Sequence, residues 1–188
     1  NEVECIKIYD SVFKRLSMPI VNLRINNRQI LDGISQLMNL DSVNEIAPIL
    51  DKSDKIGYEG VIKKLTEKNI SDSSINQLKF FLELKGSNQD KINSIRSKFT
   101  SNNISIDGVD LLEKIINTSQ KFNLNNVNLI FDLSLARGLS YYTGTILEVS
   151  SPDEYNIGSI GGGGRYDNLV QENNPRLSGF GISFGFDR

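Results

Sequence analysis

Residues 158–167 read Gly-Ser-Ile-Gly-Gly-Gly-Gly-Arg-Tyr-Asp. Four glycines in a row leave no side chains on this backbone, so it can lie flat against a ligand or offer N–H groups to an anion. A flexible linker has a similar composition, but strand-like residues precede the glycines and an Arg-Tyr-Asp cluster follows. The pattern is not a G-x-x-x-x-G-K-[ST] loop, because no lysine follows it. We therefore interpret the segment as a ligand-facing loop.

Strand patterns surround this glycine segment. Apolar and polar residues alternate over 21–25 and 127–133, and Phe or Ile alternates with Gly or Ser over 180–186. Residues 141–149 and 155–160 also have strand character. Glycines on one face of 180–186 allow a backbone or a flat ligand to approach closely.

Helical patterns fill the rest of the chain. Apolar residues recur at helical spacing over 2–16 and 27–39, and Ser42 with Glu45 has capping-box spacing at the start of a long helical stretch. We predict an α+β fold, a partial antiparallel sheet flanked by helices with an all-helical insertion. The predicted division is a sheet-based domain over 1–40 and 127–188, interrupted by the insertion over 41–126.

The composition excludes several kinds of chemistry. The 188 residues are 38% hydrophobic and 23% charged, as in a globular protein. The chain has no histidine, which removes a Ser-His-Asp triad and histidine metal sites, and one cysteine, which removes internal disulfides. Its net charge of −2 gives no argument for nucleic-acid binding. No apolar run approaches the roughly 18 residues of a membrane span. We expect a cytoplasmic protein that binds no membrane and holds no metal of its own.

Two more segments carry chemistry-bearing residues. Residues 135–144 read Leu-Ala-Arg-Gly-Leu-Ser-Tyr-Tyr-Thr-Gly, and arginine supplies a planar cation that forks onto carboxylate or phosphate. Adjacent tyrosines on a strand point to opposite faces, so one can face a pocket while the other packs. Residues 178–188 end in an arginine, which can stack on a purine and reach a phosphate. A surface arginine beside core tyrosines, and a buried strand with a terminal charge, are the alternatives.

Together the three segments resemble those of class II aminoacyl-tRNA synthetases, and among them the histidyl-tRNA synthetases. Residues 135–148 resemble the histidine-specific signature Arg-Gly-Leu-Asp-Tyr-Tyr-Thr-Gly and the strand with Glu that follows it. Residues 162–169 resemble the second signature, Gly-Gly-Gly-Arg-Tyr-Asp-Gly-Leu, and 179–188 resemble class II motif 3. Residues 41–126 resemble the helical insertion of the eukaryote-type enzyme, and 20–33 the strand and helix after motif 2.

The resemblance implies a ligation in two steps. Histidine attacks the α-phosphate of ATP to give histidyl-adenylate and pyrophosphate, and the histidyl group then passes to the terminal ribose of tRNA(His). Such chemistry needs positioning and charge stabilisation more than a strong base, which agrees with a chain that lacks histidine. The implied partners are histidine, ATP with its Mg²⁺, and tRNA(His), and the full-length protein is expected to be a homodimer.

The resemblance also implies a histidine site. Arg137 matches the arginine expected to bind the carboxylate side of histidine and the α-phosphate in the transition state. Tyr142 and Tyr166 match tyrosines that line the imidazole pocket, and Tyr141 borders it. The implied floor under histidine and the adenylate is Gly161, Gly162, Gly163 and Gly164, where a side chain would occlude the substrate.

The implied ATP site lies in the last segment. Arg188 is expected to stack on adenine and reach the terminal phosphates, helped by open backbone at Gly181 and Gly185. Glu148 receives no role. In the insertion, Lys63, Lys64 and Lys68 are candidates for contact with the tRNA acceptor stem.

Some features depart from the family pattern. Ser140 stands where the family usually has Asp, and Asn168 where it has Gly. Motif 1, motif 2 and the anticodon-binding domain are expected outside residues 1–188. We therefore expect a fragment of a catalytic domain that does not form histidyl-adenylate alone.

Three other functions fit parts of the sequence. A histidine-sensing regulatory subunit of ATP phosphoribosyltransferase shares this core, but usually lacks the insertion and the full first signature. The synthetase-like domain of stress kinases that bind uncharged tRNA tends to lose the glycine floor and the motif 3 arginine. A helical interaction module on a small sheet leaves the three glycine–arginine segments unexplained.

Overall fold

A computed structural model describes residues 1–137, 141–152, 155, 157–172 and 174–187. The strands lie toward the two ends of the chain, and helices fill its middle. In chain order the elements are α1 (Glu2–Arg15), β1 (Val21–Asn27), α2 (Arg28–Leu37), a 3-10 turn (Val43–Glu45), α3 (Ala47–Leu50), α4 (Ser53–Glu67), α5 (Asp72–Leu82), α6 (Asn88–Ser101), α7 (Asp107–Gln120), β2 (Val127–Phe131), β3 (Thr145–Ser150), β4 (Ser159–Arg165), α8 (Asp167–Gln171) and β5 (Phe180–Phe184).

The strands of the described residues form one sheet in the order β2–β1–β3–β4–β5. All neighbouring pairs are antiparallel except β1 with β2, which are parallel. A parallel pair requires a long crossover connection, and the helices from α2 to α7 supply it. The predicted α+β class, with a largely antiparallel sheet flanked by helices, is confirmed.

The pairing register places four residues in one row across the sheet. Arg24 lies opposite Glu148, Glu148 opposite Gly162, and Gly162 opposite Ser183. Residues directly opposite in an antiparallel pair share a face, so this row belongs to one face of the sheet. We call it the site face.

The opposite face of the sheet carries the apolar core. Leu23 and Ile25 alternate with Arg24 and are fully buried, as expected for a strand with one apolar face. Helix α1 contacts β2, β5 and α7, and it buries Ile6, Tyr9 and Phe13. The helical spacing of these residues in the sequence predicted this buried side of α1.

The helices between α2 and β2 fall within the predicted insertion. Ser42 and Glu45 form the capping box that their spacing predicts, with the Glu45 carboxylate accepting from the Ser42 N–H at 3.2 Å. Helix α2 contacts α5 and α7, so these helices pack against the sheet-bearing part. The division at residues 41 and 126 stays a prediction. Among the described residues, no helix combines the length and apolar character that a bilayer crossing requires.

The structure corrects two predicted strands. Strand β3 begins at Thr145 instead of Tyr141, so the two tyrosines precede it. The strand predicted over 155–160 is instead β4, Ser159–Arg165, and it contains all four glycines. The glycines are therefore strand residues and not a loop. Both edges of β4 are paired through backbone groups, with β3 and with β5, and this pairing needs no side chain.

The close approach of β4 and β5 predicts an unequal cost of adding a methyl group along β4. At Gly163 a methyl would lie 2.2 Å from the Gly181 carbonyl oxygen and 2.8 Å from Cα of Ile182. We expect Gly163→Ala to lower the free energy of unfolding by about 3 kcal/mol, as overpacking does when backbone must move. Chemical denaturation of the chain measures this loss.

Gly161→Ala is the matched control in the same strand. Its methyl would lie 3.0 Å from the Ser183 carbonyl oxygen and 3.1 Å from the Tyr9 ring, distances that small shifts relieve. An equal loss in both variants would contradict the steric explanation.

Candidate active site

Glycines on β4 and β5, which have no side chains, leave a shallow surface on the site face. Gly162 and Gly164 lie on this face, opposite Ser183 and Gly181. Larger residues here would fill the space above the sheet. Two side chains that the sequence predicts to be part of the site, Arg137 and Tyr142, occupy part of that space.

Arg137 lies across Gly162. A methyl on Gly162 would be 2.9 Å from Nη2 of Arg137, and Nη1 donates to the Glu148 carboxylate at 2.9 Å. The backbone of Arg137 has a φ of 46°, in the left-handed region that non-glycine residues rarely adopt. Burial disfavours the guanidinium charge, but the Glu148 ion pair more than offsets it and raises the pKa of Arg137. The side chain is therefore a fixed cation over the glycine.

Tyr142 occupies the space above Gly164. A methyl on Gly164 would lie 2.6 Å from the Tyr142 ring, and Tyr142 is buried while Tyr141 is half exposed. The two rings lie 4.7 Å apart between centroids. The prediction that they point to opposite faces of a strand is wrong, because they precede β3. Burial raises the pKa of Tyr142, and the nearby Arg137 cation partly opposes that rise.

Tyr166 packs on the glycines of the last segment. Methyl groups on Gly179 and Gly181 would lie 2.5 Å from its ring and 2.9 Å from its hydroxyl, respectively. Its N–H donates to the Gly179 carbonyl at 2.9 Å. The neighbouring Asp167 carboxylate accepts from the Gly179 N–H at 3.0 Å. These bonds fix Tyr166 at the start of α8.

Arg165 ties this end of the site to the first helix. It donates from Nε to the Glu2 carboxylate at 2.8 Å, and from Nη1 to Asp167 at 3.1 Å. Glu2 is almost fully buried, and a buried carboxylate requires such a partner. The Arg-Tyr-Asp cluster thus combines one pocket residue, Tyr166, with two residues that anchor it.

Two adjoining clefts lie on the site face, and both include Gly162 and Ser183. The first, of about 320 Å³, holds the three tyrosines and is lined by Tyr141, Tyr142, Gly162, Gly163, Tyr166, Leu169, Gly181, Ile182 and Ser183. The second, of about 180 Å³, holds the arginine and is lined by Arg137, Ser159, Ile160, Gly161, Gly162, Ser183, Phe184 and Gly185.

The structure separates the predicted glycines by environment. Gly162 and Gly164 face Arg137 and Tyr142, whereas a methyl on Gly161 would meet Tyr9 of α1. Gly181 lines the cleft of the tyrosines, and Gly185 the cleft of Arg137. The glycines therefore make room first for the protein's own side chains.

Parts of the predicted site lie outside the described residues, namely Arg188 and Ser140. Among the described residues, no group of three or more His, Cys, Asp or Glu side chains could hold a metal ion.

A larger groove of about 720 Å³ lies between α1 and the end of β5. Phe13, Phe184 and Phe186 contribute to its apolar lining, and its described lining carries no charged side chain. A ligand site usually combines an apolar wall with a few convergent polar groups. We therefore place the candidate active site in the smaller clefts.

Sequence reasoning missed Tyr9, Arg24 and Glu148 as parts of the site. The Tyr9 hydroxyl lies 3.0 Å from the carbonyl oxygens of both Gly162 and Ser183, below the row that carries Arg137. Burial raises the pKa of Tyr9 well above its ordinary value, so the hydroxyl is a proton donor. In the sequence Tyr9 is one of several apolar residues at helical spacing. The strand register brings Arg24 and Glu148 into the row of Gly162, and the packing of α1 on the sheet brings Tyr9 to the carbonyl groups.

Comparison with known proteins gives the family. A sequence profile described as histidyl-tRNA synthetase matches residues 1–188. The histidine–tRNA ligase of Azobacteroides pseudotrichonymphae is 46% identical over 190 residues, which cover 100% of this chain and 41% of the relative. The corresponding ligase of Christiangramia forsetii is 40% identical, with 100% and 42% covered.

Solved structures agree with the profile. The crystal structure of histidyl-tRNA synthetase from Nostoc sp. PCC 7120 has a TM-score of 0.87 at 28% identity, over 97% of this chain and 44% of that one. These matches identify the fold as that of class II aminoacyl-tRNA synthetases. Within that class, the chain belongs to the histidyl-tRNA synthetase family. It spans about two fifths of the length of the curated relatives described above.

Regulatory relatives share the fold at lower similarity. A structure described as an ATP phosphoribosyltransferase regulatory subunit/histidyl-tRNA synthetase from Bacillus halodurans has a TM-score of 0.75 at 19% identity. That similarity shows a common fold only.

The prediction that residues 41–126 resemble the insertion of the eukaryote-type enzyme stays a prediction.

The position of Tyr9 leads to a prediction about the support of the glycine strand. Tyr9→Phe removes the hydroxyl that bonds the Gly162 and Ser183 carbonyls and keeps the ring. We expect the free energy of unfolding to fall by about 1 to 2 kcal/mol, because a buried hydrogen bond is lost.

Tyr58→Phe is the control, since the Tyr58 hydroxyl bonds Glu83 at 2.9 Å in an exposed position. It should change stability by less than about 0.5 kcal/mol. Equal losses in the two variants would show that the Tyr9 hydroxyl gives no special support.

Proposed function

We propose that the protein containing this chain is a histidine–tRNA ligase. In the proposed reaction a carboxylate oxygen of histidine attacks the α-phosphorus of ATP, and pyrophosphate leaves with the electron pair of the broken P–O bond. A hydroxyl of the terminal ribose of tRNA(His) then attacks the carbonyl carbon of histidyl-adenylate and loses its proton, and AMP leaves with the electron pair of the broken C–O bond. Family membership over the whole chain supports this proposal. The observation that carries it is Arg137, a fixed cation at the junction of two clefts.

The first cleft is the proposed histidine site. Tyr141, Tyr142 and Tyr166 surround it with aromatic rings that end in hydroxyl groups, suited to a flat heteroaromatic ring with two nitrogens. Its size, about 320 Å³, is compatible with an amino acid. The proposed floor is the glycine strand, Gly161, Gly162, Gly163 and Gly164.

The second cleft is the proposed entry for ATP. Arg137 lines it and reaches Gly162 at the junction, so its guanidinium is near both proposed substrates. A fixed cation that contacts a phosphate as charge develops stabilises the transition state without a proton transfer. Gly185 and Gly181 supply open backbone, and Arg188 completes the proposed ATP site. Mg²⁺ is proposed to enter with ATP, and the phosphate oxygens of ATP would supply ligands to the ion.

The other expectations remain parts of the proposal. Residues 41–126 are a proposed helical insertion that contacts the tRNA acceptor stem, and the whole protein is a proposed cytoplasmic homodimer. The 188-residue chain alone is proposed not to form histidyl-adenylate, because the family resemblance assigns an α-phosphate arginine to motif 2. The regulatory alternatives are not favoured, since the ligase relatives are 40% and 46% identical and cover the whole chain.

The test of the proposed function is histidine-dependent exchange of pyrophosphate into ATP by the whole protein. We expect Arg137→Ala to lower kcat about 100- to 1000-fold, because it removes a charge that acts on the transition state. Arg15→Ala removes an exposed arginine at the end of α1 and should leave kcat unchanged. Absence of histidine-dependent exchange in the wild-type protein would refute the proposed function. Full activity in Arg137→Ala would refute the role of Arg137.

The proposed tRNA contact has a separate test. Lys63, Lys64 and Lys68 are exposed on or just after α4. Replacing all three with glutamate should raise KM for tRNA about tenfold or more, since phosphate contacts depend on positive charge. Pyrophosphate exchange should not change. The control is the same charge reversal at three other exposed lysines, Lys85, Lys114 and Lys121. Similar KM values in the two triple variants would rule out this face.

A further inference from the structure

Arg24 is a nearly buried arginine that the proposed mechanism does not use. Its side chain is 11% exposed and forms ion pairs with Asp54, Asp132 and Glu148. Burial disfavours its charge, but the three carboxylates more than offset this and raise the pKa of Arg24. The guanidinium is held in one orientation, because Nε bonds Asp132 while Nη1 bonds both Asp54 and Glu148.

Glu148 connects Arg24 to the site. One carboxylate oxygen of Glu148 accepts from Nη1 of Arg24 at 3.3 Å, and the other accepts from Nη1 of Arg137 at 2.9 Å. Arg24 and Glu148 are also direct cross-strand partners. The carboxylate is therefore held between two guanidinium groups. The strand register fixes one group, Arg24, and the other is the proposed catalytic cation.

Arg24 also contacts the turn that precedes Arg137. Its Nε donates to the Asp132 carboxylate at 2.7 Å, and its Nη2 donates to the Ser134 hydroxyl at 3.1 Å. Asp132 in turn accepts from the N–H and the hydroxyl of Ser134, at 2.8 and 2.6 Å. Three residues further on, Arg137 adopts its left-handed backbone conformation. The turn is closed by its own Asp132–Ser134 bonds, so the contact through which Arg24 orients the Arg137 side chain is the Glu148 carboxylate.

One partner of Arg24 comes from the helical segment. Asp54 lies in the first turn of α4 and accepts from Nη1 of Arg24 at 2.5 Å. The same Nη1 atom bonds Glu148, so a shift of the first turn of α4 changes the geometry of the Arg24–Glu148 pair. The chain of contacts runs from α4 to the proposed active site through charged groups in direct contact.

We propose that Arg24 is a positioning residue for Arg137 that acts through Glu148, and that Asp54 makes this arrangement sensitive to the position of the first turn of α4, which the non-helical Gly57 separates from the rest of that helix. This inference rests on the proposed function for its catalytic consequence. Its geometric part, the orientation of Arg137, is independent of any activity.

A double-mutant cycle in the whole protein tests the catalytic consequence. Arg24→Gln and Glu148→Gln are each expected to lower kcat for pyrophosphate exchange about tenfold, because a misplaced catalytic group loses rate steeply. If Arg24 acts through Glu148, the double variant is no slower than Glu148→Gln alone. The kcat of Arg24→Lys, which keeps the charge and loses the planar guanidinium, should fall between those of the wild type and Arg24→Gln.

Asp54→Asn tests the contribution of α4. It should lower kcat by two- to fivefold in the wild-type background and not at all in the Glu148→Gln background.

The matched control is Arg96→Gln. Arg96 also forms ion pairs with two carboxylates, Asp110 and Glu113, but these lie on α7 within the helical segment. This variant should lose stability without any change in kcat. Losses in kcat that multiply in the Arg24→Gln/Glu148→Gln variant would overturn the proposal. So would a value of kcat in Arg24→Gln equal to that of Arg96→Gln.

NMR of the arginine side chains in the full chain tests the geometry without substrate. We expect separate, slowly exchanging Nη signals for Arg137 in the wild type and in Arg96→Gln, and their collapse in both Arg24→Gln and Glu148→Gln. Persistence of these signals in Arg24→Gln would overturn the proposal. An inactive wild-type protein would refute the proposed function alone, since the NMR result decides the positioning role independently.

Discussion

The close approach of β4 and β5 is the constraint on which the rest of the site depends. At Gly163 the backbone of the neighbouring strand occupies the place of a side chain, with the Gly181 carbonyl oxygen 2.2 Å from the position of a methyl. Gly162 and Gly164, on the site face, leave space that Arg137 and Tyr142 enter. A sheet normally presents side chains of similar height on each face. Here the glycines of β4 carry no side chains on this face. Arg137 and Tyr142, which lie outside β4 and β5, occupy that space instead.

This arrangement requires support that side chains of β4 would otherwise supply. Glycine gains nothing from side-chain burial and loses more backbone entropy than other residues on folding. The structure compensates through helix α1, which packs on the core face of the sheet. Tyr9 bonds two carbonyl oxygens of the paired strands from the core side, and the buried Glu2 pairs with Arg165 at the end of β4. Helix α1 therefore supports the glycine strand at both places.

Local sequence patterns predict many of the helices and strands of this fold. They predict fewer of the contacts that build the site. Alternation of apolar and polar residues predicts β1 and β2 correctly, and the spacing of Ser42 and Glu45 predicts their capping box. The pattern fails over residues 161–164, because glycines carry no alternation from which a strand could be recognised. Tyr141 and Tyr142 lie before β3 and not in it. The sequence does not show this, because aromatic residues favour strands and therefore predict one here. The Arg24–Glu148 pair depends on strand register, which a single sequence does not give.

Folding and the proposed catalysis thus depend on the same contacts. The cation at the junction of the clefts is oriented by Glu148, which β3 places in one row with Arg24 and Gly162. All of these contacts form within the described part of the chain, so the geometry of Arg137 is set when the sheet forms. A cation already oriented before substrate arrives needs little reorganisation in the transition state. Such preorganised charge is the means by which Arg137 is proposed to act on a phosphate, and it needs no general base.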